Sequence, residues 1–222
     1  MKCPNCNHDK YTPSILGYFK CDLCGIYFLP PVSGIDTYYS SGEYREKLKQ
    51  PNEVTHQKRR ANNIIQYVGS PSVFIDIGCS LGILMDEVGK TGAECFGVDL
   101  DTVLAHDVYR KLSDVPKQAD CITLIHSLEH MPHPLNALRD VYEKLNAGGR
   151  VVIEVPNGGV NVKNEYYRGA FRFPHVVMFD DESLAWTIQA AGFEIEYVII
   201  HGNGGLVNAP EWYYLLVIGR KV

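Results

Sequence analysis

The 222-residue sequence predicts an α/β fold: a doubly wound, mostly parallel seven-stranded sheet with one antiparallel edge strand, preceded by a small zinc ribbon. Three observations carry that expectation. Short apolar runs of strand length alternate along residues 53–222 with stretches whose apolar residues recur at helical spacing, the pattern of a parallel sheet with crossover helices. The last two apolar runs are joined by HGNGGLVNAPEW, too irregular for a crossover helix, so those strands should pair antiparallel. Near the start, two CxxC pairs stand 14 residues apart, a metal-ligand spacing. The chain therefore divides into a ribbon at 1–30, a linker at 31–52 and an α/β domain at 53–222.

CPNC and CDLC place Cys3, Cys6, Cys21 and Cys24 as four thiolates, two per turn, for one tetrahedral zinc ion. Asn7 and Gly25 follow the pairs, and both tolerate the left-handed backbone that such turns use. A bound metal holds together a module too small to bury a core. The competing reading is four unrelated buried cysteines, with His8 as a substitute ligand or a solvated loop residue. FLPPVSGIDTYYSSGEY has a linker's composition, and its tyrosines either cover a ligand or pack on the main domain. Ala61, Ile64, Ile65 and Val68 then form an amphipathic helical stripe, closed by Gly69-Ser70-Pro71.

In the main domain, strands are expected at Val73–Ile77, Cys95–Asp99, Val108–Tyr109, Cys121–Ile125, Arg150–Val155, Glu194–Ile200 and Tyr213–Gly219. Leu81, Leu84, Met85 and Val88 mark one helix. Leu135, Leu138, Tyr142 and Leu145 mark another, closed by Ala147-Gly148-Gly149, and Asp180-Asp181-Glu182 opens a third. The interval from Asp99 to Asp120 is too short for a full helix-plus-strand crossover.

GCSLG, at the turn after Val73–Ile77, matches two signatures. As Gly-x-Ser-x-Gly it is a hydrolase nucleophile elbow, but that elbow needs earlier strands of its sheet, and here it follows the first one. As a glycine-rich strand-to-helix turn it cradles a nucleoside, and Asp99 at the end of the next strand can accept hydrogen bonds from both ribose hydroxyls. Gly78 and Gly82 admit close backbone approach, and Ser80 is then a small turn residue. A dinucleotide fold prefers G-x-G-x-x-G, whereas this turn has Ser80 at the second glycine and begins with Asp76, whose charge suits a cationic ligand better than a pyrophosphate.

DIGCSLG, the acid in GVDL, the segment DCITLIHSLEHMPHP and the reversed terminal strand together resemble the class I S-adenosylmethionine-dependent methyltransferases over roughly Glu53 to Val222. The CxxC pairs and YYSSGEY resemble the zinc-binding module that precedes such domains in sugar and small-molecule methyltransferases. The resemblance implies a Rossmann-like domain in which Asp76, Gly78, Cys79, Ser80 and Gly82 hold the methionine part of the cofactor. By the same resemblance Asp99 takes the ribose, Leu100 borders the adenine and His126 lines the sulfonium side, with Asp114 a candidate for the adenine amino group.

LIHSLEHMPHP sets His126, Glu129, His130 and His133 beyond a strand end, where parallel sheets bind ligands, and RFPHVVMF adds His175. His130, oriented by Glu129, is the first candidate for the base that deprotonates an acceptor hydroxyl, and His175 the second. The alternative is a loop fixed by these side chains' hydrogen bonds. HSLEH with a later histidine is also similar to the metal-binding pattern of small-RNA 2′-O-methyltransferases and ubiquinone-pathway O-methyltransferases, whose first position is usually glutamate. A second divalent metal at His126, Glu129, His130 and His175 is implied on that resemblance. In NGGVNVKNEYYRGAFRFPH, Tyr166, Tyr167, Phe171 and Phe173 with Arg168 and Arg172 suit a lid over a sugar or nucleotide-linked substrate, or a packing or dimer contact.

A net charge of −5 disfavours an electrostatic nucleic-acid binder, and no apolar run reaches membrane-spanning length. MKCPNCNHDK lacks a signal peptide's apolar stretch, and the cysteine pattern fits a reducing cytoplasm. The expected function is methyl transfer to a hydroxyl of a small molecule. The other classes kept open are a non-catalytic cofactor-binding and ribbon interaction module, and an NAD-dependent oxidoreductase.

Overall fold

The computed structural model describes residues 1–31, 33–39, 51–103, 105–159, 171, 174–201 and 214–222. The strands are β1 (Tyr11–Pro13), β2 (Phe19–Cys21), β3 (Tyr27–Phe28), β4 (Val73–Ile77), β5 (Glu94–Val98), β6 (Val108–Tyr109), β7 (Ala119–Ile125), β8 (Leu145–Pro156), β9 (Val177–Met178), β10 (Phe193–His201) and β11 (Tyr214–Lys221). The helices are α1 (Ile35–Tyr39), α2 (Pro51–Val68), α3 (Ile83–Gly89), α4 (Pro134–Lys144) and α5 (Asp181–Ala190).

Seven strands form the main sheet in the order β10-β11-β8-β7-β4-β5-β6. β4 to β8 run parallel, and the apolar runs of β4, β7 and β8 are buried on both faces, as a sheet covered by helices requires, while the short edge strand β6 is half-buried. The reversed strand is β11, one position in from the edge, antiparallel to both β8 and β10. Between β5 and the two-residue β6 the chain makes a loop with no helix among the described residues.

Helix α4 ends at Lys144, one residue before the stripe does. Leu145 adopts ψ 145° and enters β8 directly, pairing with Ala119 of β7, and it is fully buried there. Gly148, read as a helix stop, lies within the strand at φ 74°. The stripe misled because a leucine at the end of a helix and one at the start of a buried strand face the same core.

The ribbon expected at 1–30 shares both a sheet and a core with the α/β body. β1, β2 and β3 form an antiparallel sheet that continues through β3 to β9. Cys3, Cys21, Cys24, Ile26 and Phe28 belong to the same buried cluster as Leu124, Leu138 and Phe179. Asn5 is buried and fastens the first CxxC turn, donating to Thr187 Oγ1 (2.9 Å) and accepting from the Leu135 amide (3.0 Å). The Ser40–Tyr44 segment, the 160–170 insertion with Arg172 and Phe173, and the β10–β11 connection lie outside the described residues.

Candidate active site

The turn after β4 is built from residues that accept left-handed backbone: Gly78, Ser80 and Gly82 have φ of 81°, 52° and 72°. At Gly78 a Cβ would stand 2.1 Å from Ser127 Oγ, so only glycine lets the β4 and β7 ends approach this closely. Ser127 seals that approach by donating to the Ile77 carbonyl (2.7 Å). Asp76 is buried at the end of β4 and accepts from Thr123 Oγ1 (2.6 Å), and burial pushes its carboxyl up to about 7.

Asp99, one residue past β5, is aimed by two backbone amides. Ser80 donates to Oδ2 and Asp101 to Oδ1, each at 2.9 Å. Burial raises its carboxyl above the ordinary value, against the pull of those amides. The turn and Asp99 open on a cleft of about 560 Å³, within the range of small-molecule sites. Its walls include Gly78, Asp99, Leu100, His126, His130 and, from the linker, Tyr39. Asp76, Ser80 and Gly82 do not line the cleft, and Asp76 and Gly82 are buried. Cys79 is buried, with its sulfur over Gly97, where a Cβ would be 2.5 Å away, so its side chain belongs to the core. Asp114 is exposed in a 3-10 turn bonded to Ser113, and the cleft's lining there is Leu100 and Arg110.

The histidines converge at the far wall. His126 follows β7 at φ 53°, and its ring is held on both sides: Nδ1 lies 3.3 Å from Glu129 Oε1 and Nε2 lies 2.9 Å from Glu154 Oε1. Two carboxylates on two ring nitrogens make the imidazolium the favoured form. Burial acts to lower the ring's pKa, but the hydrogen bonds to Glu129 and Glu154 outweigh it. Glu129 sits in the 3-10 turn Leu128–His130 and is buried. Burial would raise its carboxyl, yet the His126 hydrogen bond and the neighbouring His130 and His175 rings hold it at about 2.

His130 is not oriented by Glu129, as its place in the sequence suggested. Its Nδ1 lies 3.2 Å from the Pro174 carbonyl, which makes Nδ1 the donor there and leaves Nε2 facing Glu129. Nε2 stands 3.9 Å from Glu129 Oε1, too far for a hydrogen bond. Glu129 Oε2 is buried with no hydrogen-bond partner among the described residues. One donor atom each from Glu129, His130 and His175 lie within 4.8 Å of one another. A carboxylate oxygen and two imidazole nitrogens grouped beside an orphaned carboxylate oxygen are a donor set that fits a cation, whose ligands at about 2.1 Å in tetrahedral geometry are roughly 3.4 Å apart. His126 lies outside this set because both its nitrogens already face carboxylates.

Glu154 and Arg60 complete the network and were not picked out from the sequence. Arg60 of α2 donates to Glu154 Oε1 through Nε (2.8 Å) and Nη2 (2.6 Å). The available signal was the charged residue inside RVVIEV, since a glutamate in a doubly buried strand must be paired.

At the ribbon, Cys3 and Cys24 sulfurs are 3.6 Å apart, as are those of Cys6 and Cys21, and all four lie within 4.8 Å. Zinc–sulfur bonds of about 2.3 Å place tetrahedral sulfurs roughly 3.8 Å apart, so the donor set fits. The hydrogen bond with Cys3 pulls the Cys24 thiol down to about 5 and pushes Cys3 up, while burial pushes Cys6 up to about 12. A divalent ion's charge is what would ionise the remaining thiols.

Residues 44–198 match the family profile described as a methyltransferase domain, well over half of the chain. The chain belongs to the class I S-adenosylmethionine-dependent methyltransferases. Among the relatives of this methyltransferase is the ubiquinone biosynthesis O-methyltransferase of Pseudomonas savastanoi pv. phaseolicola, 28% identical over 170 residues, 63% of this chain and 72% of the relative. The enzyme of that name from Pseudomonas entomophila is 27% identical over 56% of this chain and 66% of its own length, just under two thirds. The fold is similar to that of the Burkholderia thailandensis 1,6-didemethyltoxoflavin-N1-methyltransferase solved with S-adenosylhomocysteine, with a TM-score of 0.64 at 14% identity, covering 96% of this chain and 99% of that one. A S-adenosylmethionine-dependent methyltransferase from Archaeoglobus fulgidus gives 0.63 at 20% identity, covering 81% and 98%. Among the described residues, no helix is long and apolar enough to cross a membrane.

Proposed function

We propose that this methyltransferase moves the methyl group of S-adenosylmethionine to a hydroxyl of a small molecule, in the cleft between Asp99 and His130. The observation that carries the reading is that one cleft is lined by Gly78 of the glycine turn and the acid Asp99 together with His126 and His130. The names of the O-methyltransferase relatives support oxygen as the acceptor atom. In this reading Asp99 accepts from the ribose hydroxyls, Gly78 at the head of the turn faces the methionine part and Leu100 borders the adenine.

Methyl transfer from a sulfonium has a good leaving group, so the protein's task is to align the acceptor and take its proton. Glu129, His130 and His175 are the residues that would hold a divalent cation, which supplies positive charge that acidifies an acceptor hydroxyl. The His126 imidazolium holds Glu129 in its rotamer, and the Arg60–Glu154 pair holds His126. A second reading is favoured by the exposure of His130 to the cleft: without a cation, its Nε2 accepts the hydroxyl proton directly.

The test is calorimetry of S-adenosylhomocysteine, followed by transfer of labelled methyl to sugars, sugar nucleotides and phenols. Micromolar binding is expected, weakened at least about tenfold by Asp99→Ala through the loss of two charge-assisted hydrogen bonds. Binding unchanged in Asp99→Ala, or label found only on nitrogen acceptors, defeats the proposal.

A further inference from the structure

Beyond closing on a metal, the ribbon reaches both segments that bear the Glu129–His130–His175 set. Tyr18, on the turn entering β2, is buried, with its ring packed edge-on against Phe171 at 5.0 Å. Its hydroxyl donates to the backbone carbonyl of His175 at 2.5 Å. One residue on, Val176 is bracketed: the Leu29 amide of the ribbon donates to its carbonyl (3.0 Å), and its own amide donates to the Glu129 carbonyl (2.9 Å). β9 then continues the ribbon's sheet, Phe28 pairing with Val177 and Tyr27 with Met178. On the other flank, His133 Nδ1 meets the Pro4 carbonyl (3.2 Å), three residues after His130. A single short ribbon therefore ties down the turn carrying Glu129 and His130 and the distant segment carrying His175.

We propose that the four-cysteine ribbon is a positioning device for the histidine site, with Tyr18 the positioning residue that sets the height of His175 over Glu129. The inference rests on the reading that His175 works in the cleft. Ribbon and α/β body share a core, so ribbon geometry is transmitted by backbone hydrogen bonds rather than by a flexible tether. The hydroxyl of Tyr18 is the only polar group of that side chain, and removing it leaves the packing on Phe171 in place. A displacement of reacting groups by an ångström is worth one to two orders of magnitude in rate, whereas cofactor affinity is set at the other end of the cleft.

The experiment compares wild type, Tyr18→Phe and His175→Ala for zinc content, kcat, KM for S-adenosylmethionine, and amide exchange of the 175–178 segment. Tyr18→Phe is expected to keep one zinc per chain and an unchanged cofactor KM. Its kcat should fall about tenfold, and its 175–178 amides should exchange several-fold faster. Wild-type kcat and wild-type exchange in Tyr18→Phe overturn the inference, as does a kcat loss accompanied by loss of zinc or a raised cofactor KM. Full activity in His175→Ala strikes instead at the reading of the site, and the exchange data then decide the positioning claim alone.

Discussion

The two ligand constellations of this methyltransferase make a useful contrast. At the ribbon, four thiols come from two local turns, the donors are complete and alike, and three of the four cysteines are buried in the main core. At the cleft, one carboxylate and two imidazoles come from segments 45 residues apart, one carboxylate oxygen has no partner among the described residues, and His130 opens on the ligand space. A metal on the first set would be closed in by four protein ligands, whereas one on the second would keep an open position. Closure is the difference that matters: a saturated site holds the fold, whereas an unsaturated one leaves a position for chemistry.

The sharpest way to break the contrast is at the ribbon. Cys21→Ser is expected to release the metal and render the first thirty residues protease-sensitive, while residues 76–222 keep their sheet. Elemental analysis and limited proteolysis check it, and a metal-free protein with a resistant N-terminus would remove the ribbon from the account. At the cleft the expectation is reversed: His130→Ala keeps its fold and its zinc, but turnover falls by about 10²–10⁴-fold with cofactor affinity nearly unchanged. Steady-state kinetics beside calorimetry show which.

A smaller effect is expected at Asp76, buried at the end of β4. Asp76 titrates near 7 in the folded chain against 3.8 when solvated, so the folded state holds the extra proton. Its contribution is fully present at low pH and is lost as pH rises through about 4 to 7. The melting temperature of Asp76→Asn should therefore gain on wild type across that window and run parallel to it above. A gap that is constant from pH 4 to 8 would show that Asp76 does not titrate there.

The same contrast explains what could be read in the sequence. The CxxC turns and the position of the GCSLG turn and Asp99 were legible because these residues sit on consecutive turns or at a strand's end, where spacing alone places them. His130 and Glu129 were legible as a pair, but the partner that aims His130 is a carbonyl, Pro174, and backbone atoms leave no trace in residue identity. Glu154 and Arg60 meet across 94 residues, and β3 finds β9 across about 150, with no local pattern to announce either pairing. Leu145 shows the converse: its apolar period was visible, but a strand ladder to Ala119 took the residue that the period assigned to a helix.

Graded chelation of the purified protein, with metal content and methyl transfer read from the same samples, distinguishes one closed site and one open one from a single metal site. A mild chelator is expected to abolish transfer while one zinc per chain remains, and added divalent ion is expected to restore it. Transfer that persists with a single metal per chain would contradict the open site, leaving His130 to act as the base without a cation.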